Sequence, residues 1–279
     1  MNQLKLSQVV DTLKDLPTLP AIVMELLNTL DREDLDIPLL AKKVTQDLAL
    51  TAKTLRYANS PYYSTLVKVT TIQQAIALLG LDTVRQMVLS VSLSGCFPEN
   101  NCKGFDHKAF WRHSNAVAFA SKLIARRIGL NEDVAFIAGL LHDIGILALV
   151  SLFPQQYEEV LRYREETMSS QFEAERKILG LDHAAIGEAL ATEWNFSDVM
   201  KNAIAGHHLP EQPGIGFLAT IVHVADGIAH MLGVSTTPES KSISISVVSW
   251  ASLNLDQASV DTLLEEVRIK FKKLDQMDL

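Results

Sequence analysis

Apolar residues recur along this chain at three- and four-residue steps, the spacing that gathers them on one face of a helix. Val9, Leu13 and Leu16 form one such stripe, and Val23, Leu26, Leu27 and Leu30 form the next. Breaks suited to caps or turns fall at Leu16-Pro-Thr-Leu-Pro20, across 31–38, at Asn59-Ser60-Pro61 and at Gly80. The opening part is therefore expected to be short helices joined by turns. Longer helices are predicted over 105–128 and 132–153, separated by Gly129. Beyond them come a pair within 155–179, then 183–193, 197–207, 216–232 and 256–273. The run Ser242-Ile-Ser-Ile-Ser-Val-Val248 alternates as a strand would but has no second strand to pair with, so its type stays open. The fold class expected is all-α, and no internal repeat of fixed period is evident.

Residues 95–104, GCFPENNCKG, are dense in Gly, Pro and Asn and carry no helical period. They place the expected boundary between a helical N-terminal subdomain, 1–104, and a second helical domain, 105–279. Asn59, Ser60 and Pro61 suit either an ordinary helix cap or a turn that shapes the seam between those two parts. Trp111 and Trp194 are expected to be core or interface anchors rather than ligand stackers.

With 279 residues, 48% hydrophobic and 21% charged, the chain can bury a substantial core in one large domain or two smaller ones. Its longest apolar run, 137–153, is interrupted by His142 and Asp143 and is shorter than the ~20 residues a membrane helix requires, so no membrane span is expected. The opening MNQLKLSQVVDTLKD has neither a continuous apolar core nor a small-residue cleavage site, which suggests the cytoplasm. Cys96 and Cys102 match no zinc-ribbon spacing or disulfide framework, as a reducing compartment allows. Net charge is −8. Residues 1–104 hold 10 basic and 10 acidic side chains, so the second part carries the whole excess, and neither part resembles a nucleic-acid binder.

All eight histidines lie in that acidic second part. The segment Gly139-Leu-Leu-His-Asp-Ile-Gly145 sets an imidazole beside a carboxylate inside an apolar run, with Arg127 and Arg162 as the nearest cations in sequence. Burying an ionised Asp costs several kcal/mol unless it is paired or bound to a cation. Asp143 either caps a helix or meets a distant Arg, or else it holds a metal. His113 precedes His142 by one helix, a turn and part of another, so two antiparallel helices can bring them together. His183, His207-His208 and Asp226 follow downstream, whereas His107 and His230 are expected to be ordinary core or surface residues. His113, His142, Asp143, His183, His207, His208 and Asp226 would supply enough nitrogen and oxygen ligands for one or two ions, with Asp143 as the bridge. So many imidazoles suit a transition metal: Fe or Zn first, then Mn or Ni. Two such ions sharing a carboxylate could activate a bridging water for phosphoester hydrolysis.

This pattern of His, His-Asp, further His and a late Asp resembles the HD superfamily of metal-dependent phosphohydrolases. More specifically, the chain is similar to the bacterial HDOD output modules of signal transduction. The resemblance rests on Leu16-Pro-Thr-Leu-Pro20, Gln46-Asp47, Leu55-Arg-Tyr-Ala-Asn-Ser60, Ala75-Ile-Ala-Leu-Leu-Gly-Leu81, Phe110-Trp-Arg-His-Ser114, Gly139-Leu-Leu-His-Asp-Ile-Gly145, Gly180-Leu-Asp-His183, Ala203-Ile-Ala-Gly-His-His208 and His223-Val-Ala-Asp226. It implies an all-helical fold, a role in transmitting a signal to a protein partner, and an HD-type metal site. The chain departs from the related cyclic-dinucleotide phosphodiesterases in two places. Ile146 stands where those enzymes carry a phosphate-holding lysine, and Leu-Pro-Glu-Gln-Pro-Gly follows His208 in place of a Gly-Tyr-Pro signature. Two readings therefore remain open beside a metal-free helical scaffold. One is a signalling module with a metal site; the other is a metal-dependent phosphohydrolase acting on a nucleotide or other small phosphoester.

Overall fold

The computed structural model describes residues 3–28, 37–60, 63, 67–97, 102–234 and 245–274. Every regular element among the described residues is a helix, in keeping with the all-α expectation. By internal contacts the chain forms two compact units, Met1–Pro17 with Glu99–Val267, and Thr18–Pro98 with Arg268–Leu279. This differs from a single boundary after residue 104, because the first helix groups with the histidine-bearing unit. The physical reason is that this helix packs on two helices of that unit, and Leu4 N–H donates to the Leu179 carbonyl at 2.8 Å.

That unit contains α1 (Leu6–Leu13), and the other contains α2 (Ala21–Asn28), α3 (Ile37–Gln46), α4 (Leu48–Ala58), α5 (Ile72–Leu79) and α6 (Leu81–Cys96). The chain then returns to the first unit with α7 (His107–Arg127), α8 (Glu132–Leu141), α9 (Ile144–Leu152), α10 (Pro154–Thr167), α11 (Gln171–Leu179), α12 (His183–Glu193), α13 (Asp198–Gly206), α14 (Phe217–Met231) and α15 (Val247–Ser252). The last helix, α16 (Gln257–Leu274), runs across the 267/268 division. In the smaller unit α6 is central, with α2, α4 and α5 packed on it. Asn59 closes α4: its amide donates to the Leu55 and Val69 carbonyls, and its Oδ1 accepts from Val69 N–H. Pro61 lies outside the described residues.

Side-chain caps define many helix starts. Asp106 accepts from Ala109 N–H before α7, Asn131 from Asp133 and Val134 before α8, and Asp182 from Ala185 before α12. Ser170 and Glu173 form a capping box before α11. Each cap is worth about 1 kcal/mol and fixes where the following helix begins.

The helix expected over 132–153 is divided: α8 ends at Leu141, α9 begins at Ile144, and the His-Asp pair occupies the joint. The run 132–152, which begins five residues before the apolar stretch 137–153 expected to be too short, is long and apolar enough to cross a membrane by length and composition. An 18-residue stretch of it is 89% buried inside the fold, as a core segment would be. α8 packs against α7, α13 and α14, while α9 packs against α1, α10 and α12. Gly139 permits the close crossing of α8 over α7, since a Cβ there would lie 2.8 Å from Ala118 Cα. Of the run 242–248, residues 242–244 lie outside the described residues and Ser246 caps helix α15, which starts at Val247. Trp111 and Trp194 are both buried.

Candidate metal centre

The candidate ligands lie within or at the ends of six helices in one unit. His113 is central in α7, and Asp226 is central in α14. His142 and Asp143 form the α8–α9 joint, His183 is the first residue of α12, and His207-His208 follow α13. α7 packs on α8 and α14, α12 on α9, and α13 on both α12 and α14. These packings bring all seven predicted residues into one cluster. The His113 and His142 rings lie 5.4 Å apart, and His142 and His207 lie 5.1 Å apart.

Asp143 sits at the centre. Its Oδ2 is 3.3 Å from His142 Nε2, and its Oδ1 is 3.1 Å from His183 Nε2 and 3.4 Å from His207 Nε2. His208 Nε2 is 2.8 Å from His183 Nε2. Across the cluster, Asp226 Oδ1 stands 3.1 Å from His113 Nε2 and 3.3 Å from His230 Nε2. The expectation for His230 is thus corrected: it lies one helical turn beyond Asp226 and faces the cluster. His107 packs its ring on Phe105 instead. His223 has both ring nitrogens engaged, donating from Nδ1 to the His207 carbonyl and accepting at Nε2 from Ser246 N–H.

The outer nitrogens reveal the purpose of this geometry. Nδ1–H of His113 donates to the Val234 carbonyl, that of His142 to Gly139, and that of His207 to Ile204, at 2.7–2.8 Å. A carbonyl only accepts, so each contact fixes a tautomer whose Nε2 lone pair faces inward. Anchoring the far ring nitrogen while presenting the near one is how imidazole metal ligands are held. His183 is anchored differently, by Glu175 Oε2 at 2.6 Å, and Glu175 is a buried acid that sequence patterning did not single out.

Protonation follows the same logic. Burial opposes the charge on Asp143, but His142 and His183 hold its carboxyl well below the usual range. Burial likewise opposes Asp226, and His113 and His230 hold it well below. Burial, aided by His207 and His183, keeps His208 well below the ordinary imidazole value. Burial also lowers His207. For His183 burial is outweighed by Glu175 and Asp143, which push it well above. Burial opposes charge on His113 as well, but Asp226 and Asp143 raise it. The cluster therefore holds two ionised carboxylates, with His207 and His208 kept neutral by burial and with His113 and His183 holding a proton that an arriving cation would displace.

Asp143 stands at the N-cap position of α9 yet makes no capping hydrogen bond, and no arginine pairs with it among the described residues. His142 Nε2, Asp143 Oδ1 and Asp226 Oδ1 are buried without a hydrogen-bond partner among the described residues. Native proteins seldom leave such atoms unsatisfied, because each costs about 1–3 kcal/mol. Bound cations would satisfy them, so the donor set fits a metal. Three overlapping groups have ligand atoms within 4.8 Å of one another: Asp143 with His183, His207 and His208; His113 with His142 and Asp143; and His113 with Asp226 and His230. Asp143 belongs to two of them, the position of a shared carboxylate.

A model of the HDOD domain family matches residues 16–210. An HDOD domain protein of unknown function from Geobacter sulfurreducens has a similar structure, with a TM-score of 0.82 and 26% identity over 99% of this chain and 100% of that one. A candidate phosphohydrolase from Shewanella amazonensis SB2B gives a TM-score of 0.74 and 27% identity, covering 96% and 97%. An uncharacterized protein of Treponema pallidum (strain Nichols) is 24% identical over 210 residues, which are 74% of this chain and 40% of that relative, so the chain spans less than half of it.

Proposed function

This chain belongs to the HDOD family, and we propose that it is a bacterial signal-transduction output module built around a transition-metal centre and acting through a protein partner. The observation that carries the metal is the inward convergence of anchored imidazoles on two ionised, buried carboxylates, each with its Oδ1 left without a hydrogen-bond partner among the described residues. His113, His142, Asp143 and Asp226 would hold one ion, and Asp143, His183, His207 and His208 a second. Fe or Zn suits this nitrogen-rich set best, followed by Mn or Ni. Cys96 and Cys102, both buried and outside any disulfide among the described residues, favour a reducing, cytoplasmic setting.

Module is favoured over enzyme by the want of a phosphate anchor. Ile146 is buried and offers no charge where the resemblance would require a phosphate-holding lysine. The second reading, a phosphohydrolase for a nucleotide or other phosphoester, draws support from the name of the Shewanella neighbour and from the shared placement of Asp143. In that reading a bound metal would supply Lewis acidity and an activated water.

Elemental analysis of the anaerobically purified chain tests the metal, with Fe or Zn expected and Asp143→Ala expected to lose it. Metal retained in full by that variant would refute the ligand set. Assays on a generic phosphodiester and a nucleotide panel, with and without added Mn or Fe, separate the readings. Turnover above the Asp143→Ala control favours the enzyme.

A further inference from the structure

Glu175 is a fully buried carboxylate with no lysine or arginine paired to it among the described residues. It is instead surrounded by donors. Oε1 accepts from Tyr157 O–H at 2.8 Å and from Gln171 Nε2 at 3.2 Å, while Oε2 accepts from His183 N–H at 2.8 Å and His183 Nδ1–H at 2.6 Å. Those four bonds use about all the lone pairs a carboxylate has. Gln171 Nε2 also donates to Tyr157 Oη at 2.8 Å, and the Arg164 guanidinium grips Gln171 Oε1. Tyr157 and Arg164 belong to α10, Gln171 and Glu175 to α11. A buried acid without a paired Lys or Arg is costly and persists where its position matters.

We infer that Glu175 is a positioning residue: it fixes the His183 imidazole with Nε2 turned toward Asp143, and it thereby ties the packing of the α10–α11 hairpin to metal occupancy. The inference rests on the metal reading above. His142 and His207 are held by carbonyls of the turn just before each of them, so their orientation is settled locally. The His183 anchor comes from a different helix, so the ring cannot keep its place unless α11 keeps its own. Linkage makes this reciprocal: whatever the ion gains from a well-placed His183, the hairpin gains from the ion. An α10–α11 hairpin that tightens when metal arrives would give an output module a surface that reports the state of its centre.

The test uses the full chain, Zn²⁺ as probe and Glu175→Gln, which keeps shape and removes charge. Competition titration should show Zn²⁺ binding weakened about 10–100-fold. Amide hydrogen exchange across 154–179 should slow on Zn²⁺ binding in the wild type and respond little in the variant. Wild-type affinity in Glu175→Gln, or hairpin exchange indifferent to Zn²⁺ in a wild type that binds it, overturns the inference. A wild type that binds no ion defeats the metal reading instead. Glu175 is then judged by ¹H–¹⁵N spectra of the metal-free chain: His183 Nδ1–H should be protected from exchange, and equal protection in the variant refutes the positioning role. Should Glu175→Gln fail to fold, Tyr157→Phe, which removes one of the four donors, is expected to weaken Zn²⁺ binding several-fold, and unchanged binding counts against the proposal.

Discussion

Gly145 lies so close to His183 that a Cβ added at residue 145 would sit 2.0 Å from the His183 carbonyl oxygen, and 2.7 Å from the Gly187 amide nitrogen. α9 and α12 thus meet backbone to backbone at the point where each begins, immediately beside Asp143 and His183. The final glycine of His-Asp-Ile-Gly is explained by this approach, since its φ is ordinary and any residue could adopt it. Gly145→Ala must push the two helix starts apart. We expect a loss of about 1–3 kcal/mol in urea unfolding together with weakened metal binding; a wild-type midpoint would show that the helices meet differently.

Removing the ion should cost stability in proportion to how tightly it is held. A ligand at 100 times its dissociation constant adds about 2.7 kcal/mol, and for a chain of this size each kcal/mol moves the melting temperature by roughly 2–4 °C. A strong chelator should therefore lower the melting temperature of the wild type by several degrees and leave Asp143→Ala unmoved. Equal melting curves for the wild type with and without chelator would contradict a resident metal.

The pair Arg126–Glu132 ties the end of α7 to the first turn of α8, with contacts of 2.9 and 2.7 Å. The Arg126 hydrogen bond holds the Glu132 carboxyl below its ordinary value. A carboxyl depressed in the folded state stabilises above its unfolded pKa, and the benefit disappears as pH falls through the folded one. Because both side chains are partly exposed, the contribution is only about 0.2–1 kcal/mol. Glu132→Gln should lower the urea midpoint slightly at pH 7 and not at pH 3. A difference that persists at pH 3 would point to packing rather than charge.

Burial and the neighbouring Glu158 push the Cys102 thiol up to about 11, and burial also raises Cys96. At pH 8 Cys102 should carry about a hundredfold less thiolate than an ordinary cysteine. Iodoacetamide should label the native chain slowly and the urea-unfolded chain rapidly. Fast native labelling of Cys102 would place it outside the packed fold.

The candidate ligands were legible in the sequence because metal chemistry uses few residue types, and a carboxylate inside an apolar run is conspicuous. Glu175 was not. It sits in QFEAERKIL, whose alternating charges look like a solvated face, and it is enclosed by residues distant in the pattern, Tyr157 of α10 and His183 of α12. His230 could have been found from its one-turn spacing to Asp226. The α8–α9 joint was hidden because both flanks are apolar all round, leaving no amphipathic period to be interrupted.

The bond from Leu4 to the Leu179 carbonyl has a consequence for synthesis. Leu4 waits for residue 179 to be synthesised, and the histidine-bearing unit it belongs to extends to Val267, so that unit closes late in translation. A truncated clone starting at the Gly/Pro/Asn-rich stretch would keep every imidazole and lose α1, the helix that covers α9 and α12, so it should emerge as a poorly soluble fragment rather than a minimal metalloprotein.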